Sequence, residues 1–427
     1  MKKCIALWAC ATALAVLVAG CDKEKKPVEE AVTVPSDAVN LNAAGETANS
    51  YIVAPGKTSV FSAQFRGNSK TETVGAAVSA ELLWQDAASL IKDVYYVPET
   101  GQVVVSAGKA SGNALVAVRD AKDNILWSWH LWVSDYDPAA SLWSSPAATG
   151  GTVWKFMDRN LGASSADADD WNSKGLIYQW GRKDPFKGAV SFTVQNEDYS
   201  YSVTGEPVLY DIDNRAVKAT AFENAEGFGT YEKSIQNPTV FYKILKDGDG
   251  VNIPKSKDWR DSSDEDAWGG VSLSKSVNDP CPPGYKVPVC AANGDHPYEW
   301  HDYSQATWDA TNYGMVQDGQ WWPACGTRVN YSGGLDFPQV NPYSGMWLGT
   351  AGKASANLEA NPALYGRYTF VSKGKRLYNK YDQKDSRSQG LSVRCVAEYS
   401  ASPNDIRPFP CRETAFLCTF ASWFTDS

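Results

Sequence analysis

Alternating apolar and polar residues predict β-structure from residue 45 to about residue 137. Every second side chain of segment 125–133 is apolar, and these side chains share one face because side chains alternate along a strand: Ile125, Trp127, Trp129, Leu131 and Val133. Shorter apolar runs at 50–53, 60–65, 102–105 and 114–118 are typical of further strands. No helical period occurs here, so the region is predicted to be a β-sandwich with this face in its core.

His130 falls on the opposite face of that segment, between Ser128 and Trp132. A lone histidine among tryptophans is more often a packed, hydrogen-bonded residue than a functional one. The segment that follows, 135–148, is rich in Asp, Pro, Ser and Ala. A domain boundary is therefore predicted just after residue 137.

The second region, residues 150–396, has few long apolar periods, and only short stretches such as Gly175–Trp180 look regular. Elsewhere Gly, Asn, Asp, Ser and Pro separate single aromatic residues. Such a sequence cannot bury long continuous apolar faces. Its core is expected to consist of scattered Trp and Tyr rings together with covalent cross-links.

The N-terminus carries an export pattern. Lys2 and Lys3 precede a short apolar run that ends in Val-Ala-Gly-Cys at Cys21, which resembles the bacterial lipobox. We predict a signal peptide over residues 1–20, acylation (palmitate) of Cys21 as the first mature residue, and a charged tether over 21–44. An ordinary signal peptide whose cleavage site lies beside a cysteine is the alternative.

The charge balance argues against anionic partners. Of 427 residues, removing 1–20 leaves 38 basic against 49 acidic side chains, a net charge of −11. Such a chain is repelled by phosphate backbones and anionic head groups, so nucleic acid is not an expected partner. No later segment is long enough to span a bilayer, so membrane contact is expected through the lipid alone.

Six cysteines follow Cys21, and an exported chain with an even number is expected to form disulfides. The spacing alone leaves their connectivity open. They are Cys281, Cys290, Cys325, Cys395, Cys411 and Cys418.

Four ordered motifs in the second region resemble the Fibrobacter-type major paralogous domain. Trp154–Ala163 is similar to its "W-MDRNLGA" opening and Gly175–Phe186 to "GLYYQWGRKDPF". Asp279–Pro288 is similar to "DPCPxGWRVP", and Arg387–Val396 to the closing "R…G…VRCV". The preceding β-region resembles the module that comes before this domain in Bacteroidota-type surface lipoproteins, many of them labelled fimbrillin-family or fimbrial-tip proteins.

The resemblance implies an Ig-like all-β sandwich followed by an α+β, C-type-lectin-like domain rich in loops. It also implies a cell-surface or pilus-associated binding protein. The typical upstream fimbrillin domains are missing, so assembly into a pilus is not implied. The resemblance ends at residue 396, and the tail 397–427 has no functional interpretation.

The motif residues receive a structural interpretation. Asp158, Arg159 and Asn160 form a short polar run whose members can satisfy one another and nearby backbone, and Arg182 and Asp184 can form a charge-assisted pair. Cys281 and Cys395 lie in the motifs that bracket the lectin-like core, and we predict that they pair. The remaining pairs are then Cys290 with Cys325 and Cys411 with Cys418.

Five aromatic residues are the candidate ligand contacts, because exposed rings in loops can stack on sugars or anchor a protein partner. Burial in a core that has few other apolar side chains is the alternative. They are Tyr298, Trp300, Trp321, Trp322 and Trp347.

Metal and enzyme chemistry find weak support. His296 and His301 fit no strong zinc spacing, and Pro297 interrupts any helix between them. Clustered carboxylates at 247–249 and 261–266 make calcium conceivable, but the EF-hand spacing is absent and solvated acidic loops are the favoured explanation. No cofactor is expected. A formylglycine-type enzyme, which shares the lectin-like scaffold, would need a reactive thiol or a metal site.

The leading hypothesis is a non-catalytic outer-membrane lipoprotein at the cell surface that binds a glycan or protein on host cells or neighbouring bacteria, and that associates with fimbriae as a tip adhesin. The alternatives are a structural anchor or cap that contacts pilus subunits, and the enzyme described above.

Overall fold

The computed structural model describes residues 32–190, 192–194, 201–203, 206–218, 220–224, 229–244, 258–260, 262–300, 306–336, 343–352, 365–372 and 383–398. These residues form a β-rich fold, as predicted, but they contain almost no helix, whereas an α+β domain was expected for the second region. Their only α-helix is α1 (Tyr231–Gln236), which Thr230 caps through its side chain, and short 3-10 turns lie at Pro138–Ala140 and Trp171–Lys174. No helix in these ranges is long and apolar enough to cross a membrane.

The first region contributes eight strands that form two facing sheets. One sheet has the order β1-β3-β6-β5, and the other contains β4-β7-β8-β2. The strands are β1 (Val39–Asn40), β2 (Ser50–Val53), β3 (Thr58–Ser62), β4 (Ser79–Gln85), β5 (Ile91–Val97), β6 (Gln102–Ala107), β7 (Gly112–Arg119) and β8 (Ile125–Val133).

The core between these sheets contains the alternating face predicted for β8. Trp127, Trp129, Leu131 and Val133 are at most 1% exposed and pack in one cluster with Phe61 of the opposite sheet. Each large apolar side chain buried in this way contributes about 1.5–3 kcal/mol. The pattern in the sequence therefore identified the inner face correctly.

The described part of the second region contributes 21 strands, from β9 to β29, and all but β25 and β26 are short. Its largest sheet contains β12-β11-β28-β25-β26-β27, and smaller sheets contain β19-β29-β10-β9 and β20-β21-β22. The strands are β9 (Trp143–Ser144), β10 (Lys155–Phe156), β11 (Leu176–Gln179), β12 (Phe186–Lys187), β13 (Phe192–Val194), β14 (Tyr201–Val203), β15 (Leu209–Tyr210), β16 (Ala216–Val217), β17 (Ala221–Asn224), β18 (Val240–Lys243), β19 (Tyr285–Lys286), β20 (Thr307–Asp309), β21 (Gly314–Gln317), β22 (Gln320–Pro323), β23 (Thr327–Arg328), β24 (Leu335–Asp336), β25 (Tyr343–Gly352), β26 (Tyr365–Ser372), β27 (Gln383–Ser386), β28 (Gly390–Ser392) and β29 (Val396–Ala397).

Strand β8 is buried on both faces because the second region packs on its outer side. Ser128, His130 and Trp132 are at most 1% exposed, and Trp132 belongs to a cluster with Leu176 of β11. Strand β15 also extends the sheet of the first region, where Tyr210 pairs with β4. From Val34 onward the described residues cluster as one compact unit, with dense packing across the boundary predicted after residue 137.

The packed part of the chain includes residues that were predicted to belong to the tether 21–44. Val34 and Ala38 pack on Val60 at the outer side of the first sheet, and β1 pairs with β3 in parallel. The part of the predicted tether from Val34 onward therefore belongs to the packed part of the chain.

A disulfide joins Cys281 to Cys395, as predicted, across 114 residues of sequence. It lies beside the strands that close the second region, since Phe156 of β10 pairs with Val396 of β29. Asp279 holds the same corner, because its two carboxylate oxygens accept the backbone N–H groups of Cys281 and Val287, both at 2.8 Å.

Candidate functional site

Four of the five aromatic candidates are buried, and the prediction that these rings offer a ligand surface is wrong for them. Tyr298, Trp322 and Trp347 are fully buried and Trp321 is 8% exposed, whereas Trp300 is half-buried. Both faces of β22 are covered, so neighbouring Trp321 and Trp322 are buried on opposite sides of it. The physical reason is the shortage of aliphatic side chains, which makes these rings the core of the second region.

Trp300 also belongs to this core. Its ring centroid lies 5.1 Å from that of Trp322 and 4.8 Å, edge-on, from that of Trp143, and its indole N–H donates to the Pro297 carbonyl at 2.8 Å. Arg394 stacks on the other ring, with its guanidinium carbon 3.8 Å from the Trp322 centroid. The faces of these rings are therefore in contact with other side chains of the protein.

The first polar motif holds chain segments together. Arg159 donates to Asp158 at 2.8 Å and lies 4.0 Å over the ring of Tyr136. Asn160 donates to the Lys174 carbonyl at 3.2 Å and accepts from Arg394 Nε at 3.0 Å. Both contacts of Asn160 are buried, so it links the motif to the end of the second region.

The predicted Arg182–Asp184 pair is not a hydrogen-bonded pair. Arg182 Nε lies 3.9 Å from Asp184 Oδ2, and the guanidinium instead donates to the carbonyls of Val240 at 2.6 Å and Pro238 at 3.0 Å. The carboxylate of Asp184 accepts from Lys183 Nζ at 2.6 Å. The two side chains therefore form an ion pair at 3.9 Å without a hydrogen bond, and each also makes a separate buried anchor.

The predicted disulfide between Cys290 and Cys325 is not formed. Cys325 is a buried thiol whose Sγ donates to the Lys174 carbonyl at 3.0 Å, while Cys290 Sγ lies 3.5 Å from Arg367 Nη1. The Lys174 ammonium donates to three backbone carbonyls beside this thiol, and burial lowers its pKa to about 8. Cys21, Cys411 and Cys418 lie outside the described residues.

The two described histidines are buried, and burial lowers the pKa of each to about 3. His130 Nε2 lies 2.9 Å from Asn113 Oδ1, as expected for a packed residue, and His296 Nδ1 accepts the backbone N–H of Tyr298 at 3.2 Å. His301 and the carboxylates at 247–249 lie outside the described ranges. Within those ranges no group of three or more His, Cys, Asp or Glu side chains could hold a metal ion.

A polar cleft of about 470 Å³ lies where three distant segments meet. The loop between β3 and β4 contributes one residue, helix α1 another, and the irregular segment 260–278 the others. Ligand pockets commonly have volumes of about 300–1,000 Å³. The lining residues are Glu72, Tyr231, Arg260, Ser262, Asp264, Asp266, Ala267, Ser276, Val277 and Asn278.

Arg260 is the buried cation of this cleft. Its Nη2 donates to the Asp264 carbonyl at 3.2 Å, and its Nε lies 3.5 Å from a carboxylate oxygen of Asp258. Asp258 also binds Arg387 at 3.1 Å, and the Arg387 guanidinium stacks 4.0 Å from the ring of Trp180. This network holds the Arg260 side chain in one orientation, as is required of a preorganised binding group.

Two polar groups of the cleft have no hydrogen-bond partner within the described residues. The Tyr231 hydroxyl and Asn278 Oδ1 are both shielded from solvent and make no hydrogen bond within the described residues. Burial raises the pKa of Tyr231 well above its usual value, so the hydroxyl keeps its proton. Asp266 accepts the N–H groups of Val271 and Ser272 with Oδ1, both at 2.8 Å. The cleft is a candidate site because a buried cation and two of the buried polar atoms that lack a partner in the described residues belong to its lining.

The sequence signalled only part of this cleft. The acidic run 261–266 drew attention as a calcium candidate, and Asp264 and Asp266 in it do line the cleft. Glu72 and Tyr231 are 159 positions apart, and no local motif marks either. Comparisons of the chain with protein-family models, with curated proteins and with solved structures find no match.

Proposed function

We propose that this chain is an exported lipoprotein, anchored through Cys21 in the outer membrane and facing the cell exterior, whose head binds a glycan or protein of host or neighbouring cells. The proposal assigns an Ig-like sandwich to the first region and a C-type-lectin-like fold to the second. The observation that carries it is the polar cleft of about 470 Å³, where buried polar groups lack partners in the described part of the chain.

The connection to the membrane suits a surface-bound head. Cys21 and Val34, where packing begins, are 13 positions apart, and a fully extended chain of this length reaches at most about 45 Å. The charged run Asp22–Glu30 favours a solvated, extended connection. The head therefore stays close to the membrane while its cleft is free to meet a soluble or cell-bound ligand.

The disulfide supports the same proposal. Cys281–Cys395 ties the segment next to the cleft to the end of the second region. A cross-link of this kind is typical of proteins that work in oxidising compartments outside the cytoplasm.

The test combines labelling and binding. Lipid labelling of the wild type, with Cys21→Ser as the unlabelled control, examines the anchor. Screening of the mature protein against glycans and matrix proteins examines the head. We expect lipid on the wild type only and at least one saturable ligand. An unlabelled wild type, or turnover of a small substrate without any ligand, would overturn the proposal.

A structural role at a pilus is the second candidate, and strand placement favours it. The two strands that follow the tether, β1 and β2, lie at sheet edges and pair in parallel with β3 and β8. An edge strand near a chain end is the element that another copy can replace by strand exchange. Isolated surface fibres should then carry this chain at their ends, whereas its absence from fibres excludes the role.

A further inference from the structure

We infer that the cleft lined by Glu72, Tyr231, Arg260 and Asp266 binds a neutral saccharide of one or two sugar units. The inference rests on the proposed binding function and assigns it a location and a ligand class. Its basis is the hydrogen-bonding inventory, the charge and the rigidity of the cleft.

The inventory combines donors and acceptors within one small volume. Arg260 and the Ser262 hydroxyl supply donors, whereas Asp264, Asp266 and Asn278 Oδ1 supply acceptors. A hydroxyl group both donates and accepts, so a polyhydroxylated ring can satisfy such a mixed set from one face. An ammonium group only donates, so it could bind the carboxylates but could not accept from the remaining N–H groups of Arg260.

The Tyr231 hydroxyl points to the same ligand class. It is removed from solvent, keeps its proton and has no partner among the described residues. Tyr231 lines the cleft together with the apolar residues Ala267 and Val277. A sugar has an apolar face of C–H groups and a rim of hydroxyls, which matches a wall that combines a ring with polar groups.

The charge of the cleft excludes acidic sugars. Three carboxylates, those of Glu72, Asp264 and Asp266, line it against one guanidinium. Asp258, whose carboxylate lies 3.5 Å from Arg260 Nε and also binds Arg387, offsets part of the charge of Arg260. A sialylated or sulfated ligand would therefore meet uncompensated negative charge.

The cleft walls are fixed before any ligand arrives. Asn68 of the first region donates to the Lys275 carbonyl at 2.8 Å, and a side chain at Gly67 would collide with the Val277 carbonyl. Ser276 Oγ donates to the Ala267 carbonyl at 2.6 Å. These contacts join the loop of the first region to segment 260–278, so little ordering entropy is lost on binding.

Two variants with one matched control test the inference. Tyr231→Phe removes only a hydroxyl that has no partner in the described residues, so the fold keeps its contacts. Asp266→Asn keeps an oxygen for the N–H groups of Val271 and Ser272 and removes the charge. The control is Tyr178→Phe, which deletes a second buried, partnerless hydroxyl that does not line the cleft.

The measurement is calorimetric titration of the full mature protein with the best neutral oligosaccharide from an array that also displays sialylated and sulfated glycans. We expect the array to favour neutral glycans. Tyr231→Phe should raise the Kd about 2- to 10-fold, Asp266→Asn should raise it at least about tenfold, and Tyr178→Phe should leave it unchanged. Raising the NaCl concentration should barely change the Kd, because the ligand is uncharged.

Each contrary result has a distinct meaning. Neutral glycan binding that neither cleft variant weakens would overturn the inference and leave the proposed function standing. A preference for acidic glycans would also overturn the inference and leave the proposed function standing. Salt-sensitive binding of a lysine-rich peptide that Asp266→Asn abolishes would do the same. A protein that binds no glycan and no matrix protein would overturn both.

Discussion

Removal of the Cys281–Cys395 cross-link should destabilise the protein strongly, because the bond closes a long loop. The cysteines are 114 residues apart and both are fully buried. The chain-entropy relation for a loop of this length gives a contribution of about 4–5 kcal/mol to the free energy of unfolding. Since typical domains have about 5–15 kcal/mol in total, the double variant Cys281→Ala/Cys395→Ala should lose a large part of its stability.

The assay is urea unfolding followed by tryptophan fluorescence, because buried tryptophans lie in the cores of both regions. Cys325→Ala is the matched control, because it removes one buried sulfur that forms no disulfide. The loss in the double variant, corrected for twice the loss in the control, should remain near about 4 kcal/mol. A double variant that loses no more than twice the control would refute the cross-link argument.

Three further predictions concern buried polar groups. Because burial lowers the pKa of His130 to about 3 in the fold, its neutral form is favoured there, so its contribution to stability is full above pH 6.5 and is lost as pH falls towards 3. Urea unfolding at several pH values measures this loss. The free energy of unfolding of His130→Gln should fall less between pH 6.5 and pH 3 than that of the wild type, and an equal fall in both proteins would contradict the lowered pKa of His130. Asp184→Asn removes the carboxylate that accepts from Lys183 and from Ser128 Oγ, and should cost about 3–5 kcal/mol because a buried ammonium is left without its counter-charge. A cost below about 1 kcal/mol would show that this charge is compensated in another way. Cys325 should react with a thiol reagent only after unfolding, and Cys325→Ala should lower the number of such slow thiols by one, whereas rapid reaction in the native state would show that the thiol is accessible.

The sequence was informative where a regular period repeats. The alternating residues of β8 identified the inner face of the sandwich, because a strand turns successive side chains to opposite sides. It did not reveal that Ser128, His130 and Trp132 on the other face are also buried, since that depends on the second region packing there. A single strand cannot show in its own pattern which neighbour covers its outer face.

Aromatic and cysteine residues were harder to interpret. Trp321 and Trp347 lie in stretches rich in glycine and asparagine, which are typical of exposed loops. Only the three-dimensional packing shows that they fill a core with few aliphatic side chains. The Cys281–Cys395 pair followed from motif resemblance, whereas pairing Cys290 with Cys325 had no geometric basis. The polar cleft could not be predicted, because its residues come together only through folding.

Protease treatment of intact cells tests the central claim most directly, because a surface-bound head must be reachable from outside. Trypsin can cut the connection after Lys23 and Lys25, between the lipid site and the first packed residue, Val34. The account predicts that the head appears in the supernatant of intact cells, detected by mass spectrometry, while the acylated Cys21 peptide stays with the membrane. A head that is released only after the cells are permeabilised would contradict it.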